Sequence, residues 1–231
     1  MDNVIYLMQL FTPYTHLTIS AHNEINMRYK INIHAHTIFS DGLNSPYKMA
    51  LTAKEIGFSA LVITDHYYGN VCPDFMSKSC MKILKKACKE AREILPIIIG
   101  MEVVFMGQEV LVFGMAAINK ILENGPPTLE DMVKLRREDG CAVVLCHPGE
   151  GFEVTLPVID GFEQFNSGRD FFKNGRRFGL LSPLPRWCNS DAHIDDGLWV
   201  AYNIVDKKIT RESDLIRYIK SRKQPEFYIS K

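Results

Sequence analysis

The chain has 231 residues, 46% of them hydrophobic and 23% charged, and Lys plus Arg balances Asp plus Glu at 27 each. That length fits one large domain or two small ones with a substantial core, and the composition is that of an ordinary globular protein. Zero net charge excludes a global field that would steer the chain to nucleic acid or anionic lipid, and no run of about 18 apolar residues exists to span a bilayer.

Residues 1–26 are expected to be a dispensable N-terminal extension outside the domain, or a mis-called start. They are fairly apolar but lack a basic start and are broken by Gln9, Pro13 and His16, which makes a poor signal peptide. Met27 immediately precedes the first good strand, so a single domain is expected over 27–231. Lys30 to Ala35 alternates apolar and polar residues, and His34 and His36 fall at the end of that strand. Two residues apart on extended backbone, their side chains leave one face and can reach a common ion. The same pattern also suits one buried, hydrogen-bonded imidazole and one exposed one. Asp41 follows in a Ser-Asp-Gly turn that either returns a carboxylate to the pair or merely turns the chain.

Ser45-Pro46 starts a helix that Gly57 ends. Ala60–Thr64 reads as a buried strand with Asp65-His66 at its end, and Ser77–Leu95 as a long helix, basic on one side. Pro96–Gly100 is a strand ending at Met101-Glu102, and Met106-Gly107 turns it into Val110–Phe113. Thr128-Leu-Glu-Asp131 resembles a capping box, opening a helix to about Glu138. Ala142–Cys146 is a strand leading to His147-Pro148-Gly149, and Gly161–Phe165 is a strand leading to Asn166-Ser167-Gly168. Trp187-Cys188-Asn189 runs into Ser190-Asp191-Ala192-His193. Val200–Val205 and a helix over about Arg211–Arg222 close the chain. Apolar strands alternating with helices predict a parallel sheet covered by helices, with ligand sites at the carboxyl ends of the strands. The six cysteines have no disulfide spacing and read as reduced thiols of a cytoplasmic protein; Cys146 and Cys188 are expected to pack in the core.

His34, His36, His66, Glu102, His147, Asp191 and His193 all fall at or just beyond strand ends. A core gains nothing by gathering imidazoles and acids on one rim, because buried polar groups without partners are costly; cations would supply the partners. The motifs H-A-H-T-I-F-S-D-G (34–42), T-D-H (64–66), G-M-E (100–102), C-H-P (146–148) and S-D-A-H (190–193) together resemble the PHP family (polymerase and histidinol phosphatase), a set of metal-dependent phosphoesterases. The resemblance implies a distorted (β/α)7 TIM-like barrel whose cleft holds two to three divalent ions. It implies one ion on His34, His36, Glu102 and Asp191, a second bridged by Glu102 and held by His147, and a third on Asp41, His66 and His193. Many relatives carry a histidine in the strand after the glutamate, and Leu111 is expected to stand in its place here. Two firm ions and a weak or altered middle one are therefore expected.

Mixed imidazole and carboxylate ligands suit zinc, manganese or iron. The activity implied is hydrolysis of a phosphate ester in a small phosphorylated molecule by a metal-bound hydroxide, with no phospho-enzyme and with Asp191 as proton acceptor. Asp65 would orient His66, or sit solvated in a turn. Substrate contacts are expected from Asn166, Arg169 and Arg186, with Arg169 the first choice for phosphate, while Arg176 and Arg177 face solvent. Tyr67 and Tyr68 offer an aromatic wall or ordinary packing. Two alternatives remain: a nuclease on short oligonucleotides, and a metal-holding regulatory module without strong catalysis. No membrane, long nucleic acid or obligate protein partner is expected.

Overall fold

The computed structural model describes residues 27–68, 76–138, 140–149, 152–167 and 182–230. The expectation for residues 1–26 lies outside them. Among the described residues ten strands form one nearly closed, barrel-like sheet: β1 (Tyr29–Asn32), β2 (Phe58–Ile63), β3 (His66–Tyr67), β4 (Ile97–Phe105), β5 (Gln108–Phe113), β6 (Ala142–Leu145), β7 (Gly161–Asn166), β8 (Arg186–Asn189), β9 (Ala201–Val205) and β10 (Glu226–Ile229). Among the described residues five α-helices accompany them: α1 (Pro46–Ile56), α2 (Lys78–Ala91), α3 (Met115–Asn124), α4 (Leu129–Arg137) and α5 (Glu212–Lys220). The order across the sheet is β10-β9-β1-β2-β4-β5-β6-β7-β8, with β3 paired to β4.

The expected α/β barrel is present, and its distortion is specific. β1, β2 and β4 are parallel, as are β6, β7 and β8, but β5 runs antiparallel to both of its neighbours. A two-residue hairpin, Met106-Gly107, makes that reversal with both residues at positive φ, the backbone such a turn requires. β5 therefore begins at the mouth of the barrel and descends into it. At the remaining seam, Asn203 on β9 accepts from Cys188 N (2.9 Å) and donates to Cys188 O (2.9 Å), so a side chain links β9 to β8.

Local signals set the helix ends. Ser45 caps α1 with its hydroxyl, Pro46 occupies the first turn, and Gly57 stops the helix in the left-handed conformation. Ser77 caps α2, and Thr128 with Asp131 forms the full capping box of α4. α3 and β10 were not legible in the sequence.

Strand alternation sorts the apolar residues into two layers. Leu61, Ile63, Ile99, Val112 and Leu145 face outward against Met49, Leu84, Ile118 and Met132 of the helices. Ile31, Val62, Ile98, Leu111, Phe113, Val144 and Trp187 fill the interior, packed with Leu215, Ile216 and Ile219 of α5. This apolar filling forms a floor, and the polar strand ends stand above it.

Candidate metal centre

Each predicted ligand reaches the mouth for a local reason. β1 ends at Asn32, whose side-chain oxygen accepts the His34 N–H at 3.0 Å. Strict alternation would send His34 and His36 to the face opposite Ile31 and Ile33; the break after Asn32 lets both imidazoles stand over the interior those residues fill. Ala35 then bridges to Ala192, and His36 N donates to Ala192 O at 2.9 Å, which brings the first and last motifs together. Gly42 N bonds back to Thr37 O, and a Cβ at Gly42 would meet His36 backbone at 2.7 Å. Only glycine allows this approach, which returns Asp41 to the pair.

His34, His36, Glu102 and Asp191 form a tight quartet. His34 Nε2 lies 3.0 Å from both His36 Nε2 and Glu102 Oε2 and 3.3 Å from Asp191 Oδ1. His36 Nε2 lies 3.1 Å from Glu102 Oε2 and 3.0 Å from Asp191 Oδ1. Beside it, His193 Nε2 and His66 Nε2 approach Asp41 Oδ2 at 3.2 and 3.5 Å. On the other side, His147 Nε2 is 3.2 Å from the second oxygen of Glu102. All eight predicted ligands thus meet at one mouth, in groups whose donor atoms lie within 4.8 Å of one another.

Charge balance follows from this crowding. Burial alone would lower the pKa of His36, but the facing carboxylates of Asp191 and Glu102 outweigh it and push the value up to about 9. His34 is likewise raised against its burial by Asp191, Glu102 and Glu163. Burial opposes charge on Glu102 and Asp191, yet the facing imidazoles hold both carboxyls below the usual range.

The donor set fits divalent cations. Two imidazole nitrogens 3.0 Å apart over shared carboxylates offer converging ligand atoms to a cation. Asp191 Oδ1 is buried with no well-aligned hydrogen bond, as an open coordination atom is. Nitrogen with carboxylate oxygen is the ligand chemistry of zinc, manganese and iron.

Supporting residues differ from expectation. Glu163, unremarked in the sequence, is fully buried and accepts from His34 Nδ1 (2.8 Å), His147 N (2.9 Å), Asn166 Nδ2 (2.8 Å) and Asn189 Nδ2 (2.8 Å). It holds the Nδ1 proton of His34 and leaves Nε2 free for the mouth. The signal was a glutamate at the inward position of a buried strand. Asp65 does not orient His66 and is not solvated. It is fully buried and accepts from Thr37 N, Thr37 Oγ1 and Ser40 Oγ at 2.7–2.8 Å, fixing the 37–40 turn. Ser40 Oγ then lies 3.4 Å from His36 Nδ1.

The candidate substrate residues divide three ways. Asn166 is buried and binds Glu163. Arg186 stands exposed at the amino end of β8, its backbone N–H bonded to Gln224, and the structure does not bring it to the mouth. Arg169, with Lys173, Arg176 and Arg177, lies outside the described residues. Tyr67 is buried in the outer core, whereas the Tyr68 ring stacks on His66 with centroids 4.7 Å apart. Cys146 packs in the interior layer, where burial and then Glu102 push its thiol well up, away from the thiolate a metal requires. Cys188 is buried too, its thiol pushed up to about 12 by burial.

Leu111 pairs with Glu102 in register but is fully buried in the apolar interior. Glu109, two residues earlier on the same face, stands a step nearer the mouth, because β5 descends. Its Oε2 lies 3.3 Å from His147 Nε2 and its Oε1 3.8 Å from His66 Nδ1.

A barrel with such a mouth defines a class, an α/β barrel protein that gathers groups able to hold metal ions at its strand ends. Residues 32–167 match the PHP domain, more than half the chain, and the protein belongs to the PHP domain family. Three solved structures share the fold at low identity. A two-domain protein from Bacteroides vulgatus containing a predicted PHP-like metal-dependent phosphoesterase superposes with TM-score 0.65 at 16% identity, over 88% of this chain and 65% of that one. PsfC from Pseudomonas syringae gives 0.61 at 17% identity, over 88% and 92%. The lesion-specific endonuclease PfuEndoQ from Pyrococcus furiosus gives 0.59 at 15% identity, over 87% and 58%. The chain therefore spans less than two thirds of the first and third of these proteins. No curated protein matches it. Among the described residues no helix is long and apolar enough to cross a membrane.

Proposed function

We propose that the protein is a metal-dependent phosphoesterase that hydrolyses a phosphate ester in a small phosphorylated molecule, using two to three divalent cations. The carrying observation is the division of Glu102. One oxygen faces His34 and His36 while the other faces His147, the geometry of a carboxylate shared between neighbouring ions. Cations bound there would acidify water, neutralise phosphoryl oxygens and stabilise the leaving oxygen.

The chain's own residues do the rest. Glu163 and the Asp65–Ser40 pair set the orientation of His34 and His36, so their Nε2 atoms converge. Asp191 Oδ1, buried at the mouth and without a hydrogen bond, accepts the proton of the attacking water. Tyr68, stacked on His66, supplies an aromatic face for a flat substrate part. Arg169 remains the phosphate ligand proposed from the sequence.

A second reading has its own support. Lys78, Lys82, Lys86 and Lys89 lie exposed along α2, the next helix in the chain after the mouth segment His66–Tyr68. In a chain of zero net charge this is a local cationic stripe, and it favours a nuclease on short oligonucleotides. A panel of phosphomonoesters, nucleotides and diesters, assayed with Mn²⁺ and Zn²⁺, separates the readings. Monoester turnover falling about 10²–10⁴-fold in Asp191→Asn supports the first. Asn is chosen because position 191 has φ +52°, which Asn tolerates. Turnover of diesters alone supports the second. Bound metal with no turnover on any ester overturns both and leaves a regulatory module.

A further inference from the structure

We propose that Glu109 is a metal ligand, and that with Glu102 and His147 it builds a cation site richer in carboxylate than the two groups beside it. The inference rests on the reading that the mouth binds cations, and it adds a residue that no motif marked.

Two glutamates converge on the same pair of imidazoles. Glu102 reaches His147 Nε2 at 3.2 Å and His66 Nδ1 at 3.2 Å; Glu109 reaches the same two nitrogens at 3.3 and 3.8 Å. His66, Glu102 and Glu109 bring donor atoms within 4.8 Å of one another. His66 Nδ1 is the buried nitrogen without an aligned hydrogen bond, and it points between the two carboxylates. The Glu109 side chain is only 14% exposed.

The backbone fixes this placement. Cys146 N donates to Glu109 O at 2.9 Å, and Gly149 N donates to the Gln108 side chain at 3.0 Å. Val110 pairs with Leu145 in the ladder. The start of β5 is thus stitched along the Cys146–Gly149 segment, and Glu109 is held against His147. Leu111 lies one inward step deeper, where it packs with Ile98 and Val144 and offers nothing to an ion.

The ligand types predict selectivity. The quartet offers two imidazoles and two carboxylates, and the Asp41 group three imidazoles (His66 among them, through Nε2) and one carboxylate, whereas the Glu109 site offers two carboxylates and the one imidazole of His147. Carboxylate-rich sites suit manganese and magnesium, and imidazole-rich sites suit zinc. The Glu109 site should therefore prefer Mn²⁺ over Zn²⁺ more strongly than its neighbours do.

The test counts metal, independently of turnover. The full chain is stripped with a chelator and titrated with Mn²⁺, then with Zn²⁺ in competition, with free Mn²⁺ followed by its spin resonance. Glu109→Gln should bind one Mn²⁺ fewer than wild type, or bind it at least 10–100-fold more weakly, the loss known even for outer-shell partners. Glu109→His should regain that equivalent with its preference moved towards Zn²⁺. Leu111→His should add no equivalent. Unchanged circular dichroism of the metal-free variants shows that they fold. A Glu109→Gln protein with wild-type count and affinity overturns the assignment, as does an added equivalent in Leu111→His. Wild-type metal binding without any ester turnover sinks the hydrolase reading while leaving this one standing; a wild type that binds no cation sinks both.

Discussion

On β4, Ile98 lies in the dry interior of the barrel and Glu102, four residues on, stands among imidazoles at its mouth. β5 repeats the contrast in reverse, with Glu109 at the mouth and Leu111 and Phe113 successively deeper. The interior gains free energy from removing apolar surface from water. At the mouth, buried imidazoles and carboxylates oppose that gain and are kept because only there can they share a ligand. The same strands therefore carry stability at one level and chemistry at the next, and the two should respond separately to mutation.

The harshest test of that separation is Trp187→Ala in the floor. Trp187 is fully buried, with Gly161 directly beneath its ring, and its loss should cost about 3–5 kcal/mol in urea unfolding. The protein that stays folded should keep its metal count. A lost equivalent in that folded fraction would break the separation. Next in size is Glu163→Gln, at the boundary between the two levels. It weakens the hold on His34 Nδ1, and titration should show metal affinity falling 10–100-fold. A change in unfolding free energy without a change in affinity would assign Glu163 to the floor instead. Thr128→Ala gives the smallest effect, in a helix cap remote from both levels. Loss of the capping box should cost about 1 kcal/mol in thermal or urea unfolding and leave metal affinity untouched.

Much of this was legible in the residues. The H-x-H pair, Glu102, His147, Asp191 and His193 were readable because each follows an apolar strand, and parallel barrels deliver such ends to one rim. The helix ends of α1, α2 and α4 were readable because their capping chemistry is local. Glu163 and Glu109 were not readable as site residues. A lone glutamate in a strand becomes a hydrogen-bond hub or a ligand candidate only through partners far away in sequence. Arg186 misled for a related reason: nearness to the last motif in sequence placed it at the wrong end of β8.

The sequence by itself determined the alternation of strands and helices, the caps, and the roster of imidazoles and acids at strand ends, because these depend on residues within a few positions of one another. The tertiary structure alone decided which residues share a pocket and at what depth. The reversed course of β5 and the break after Asn32 set the height and face of each side chain, and both arise from pairing with distant strands.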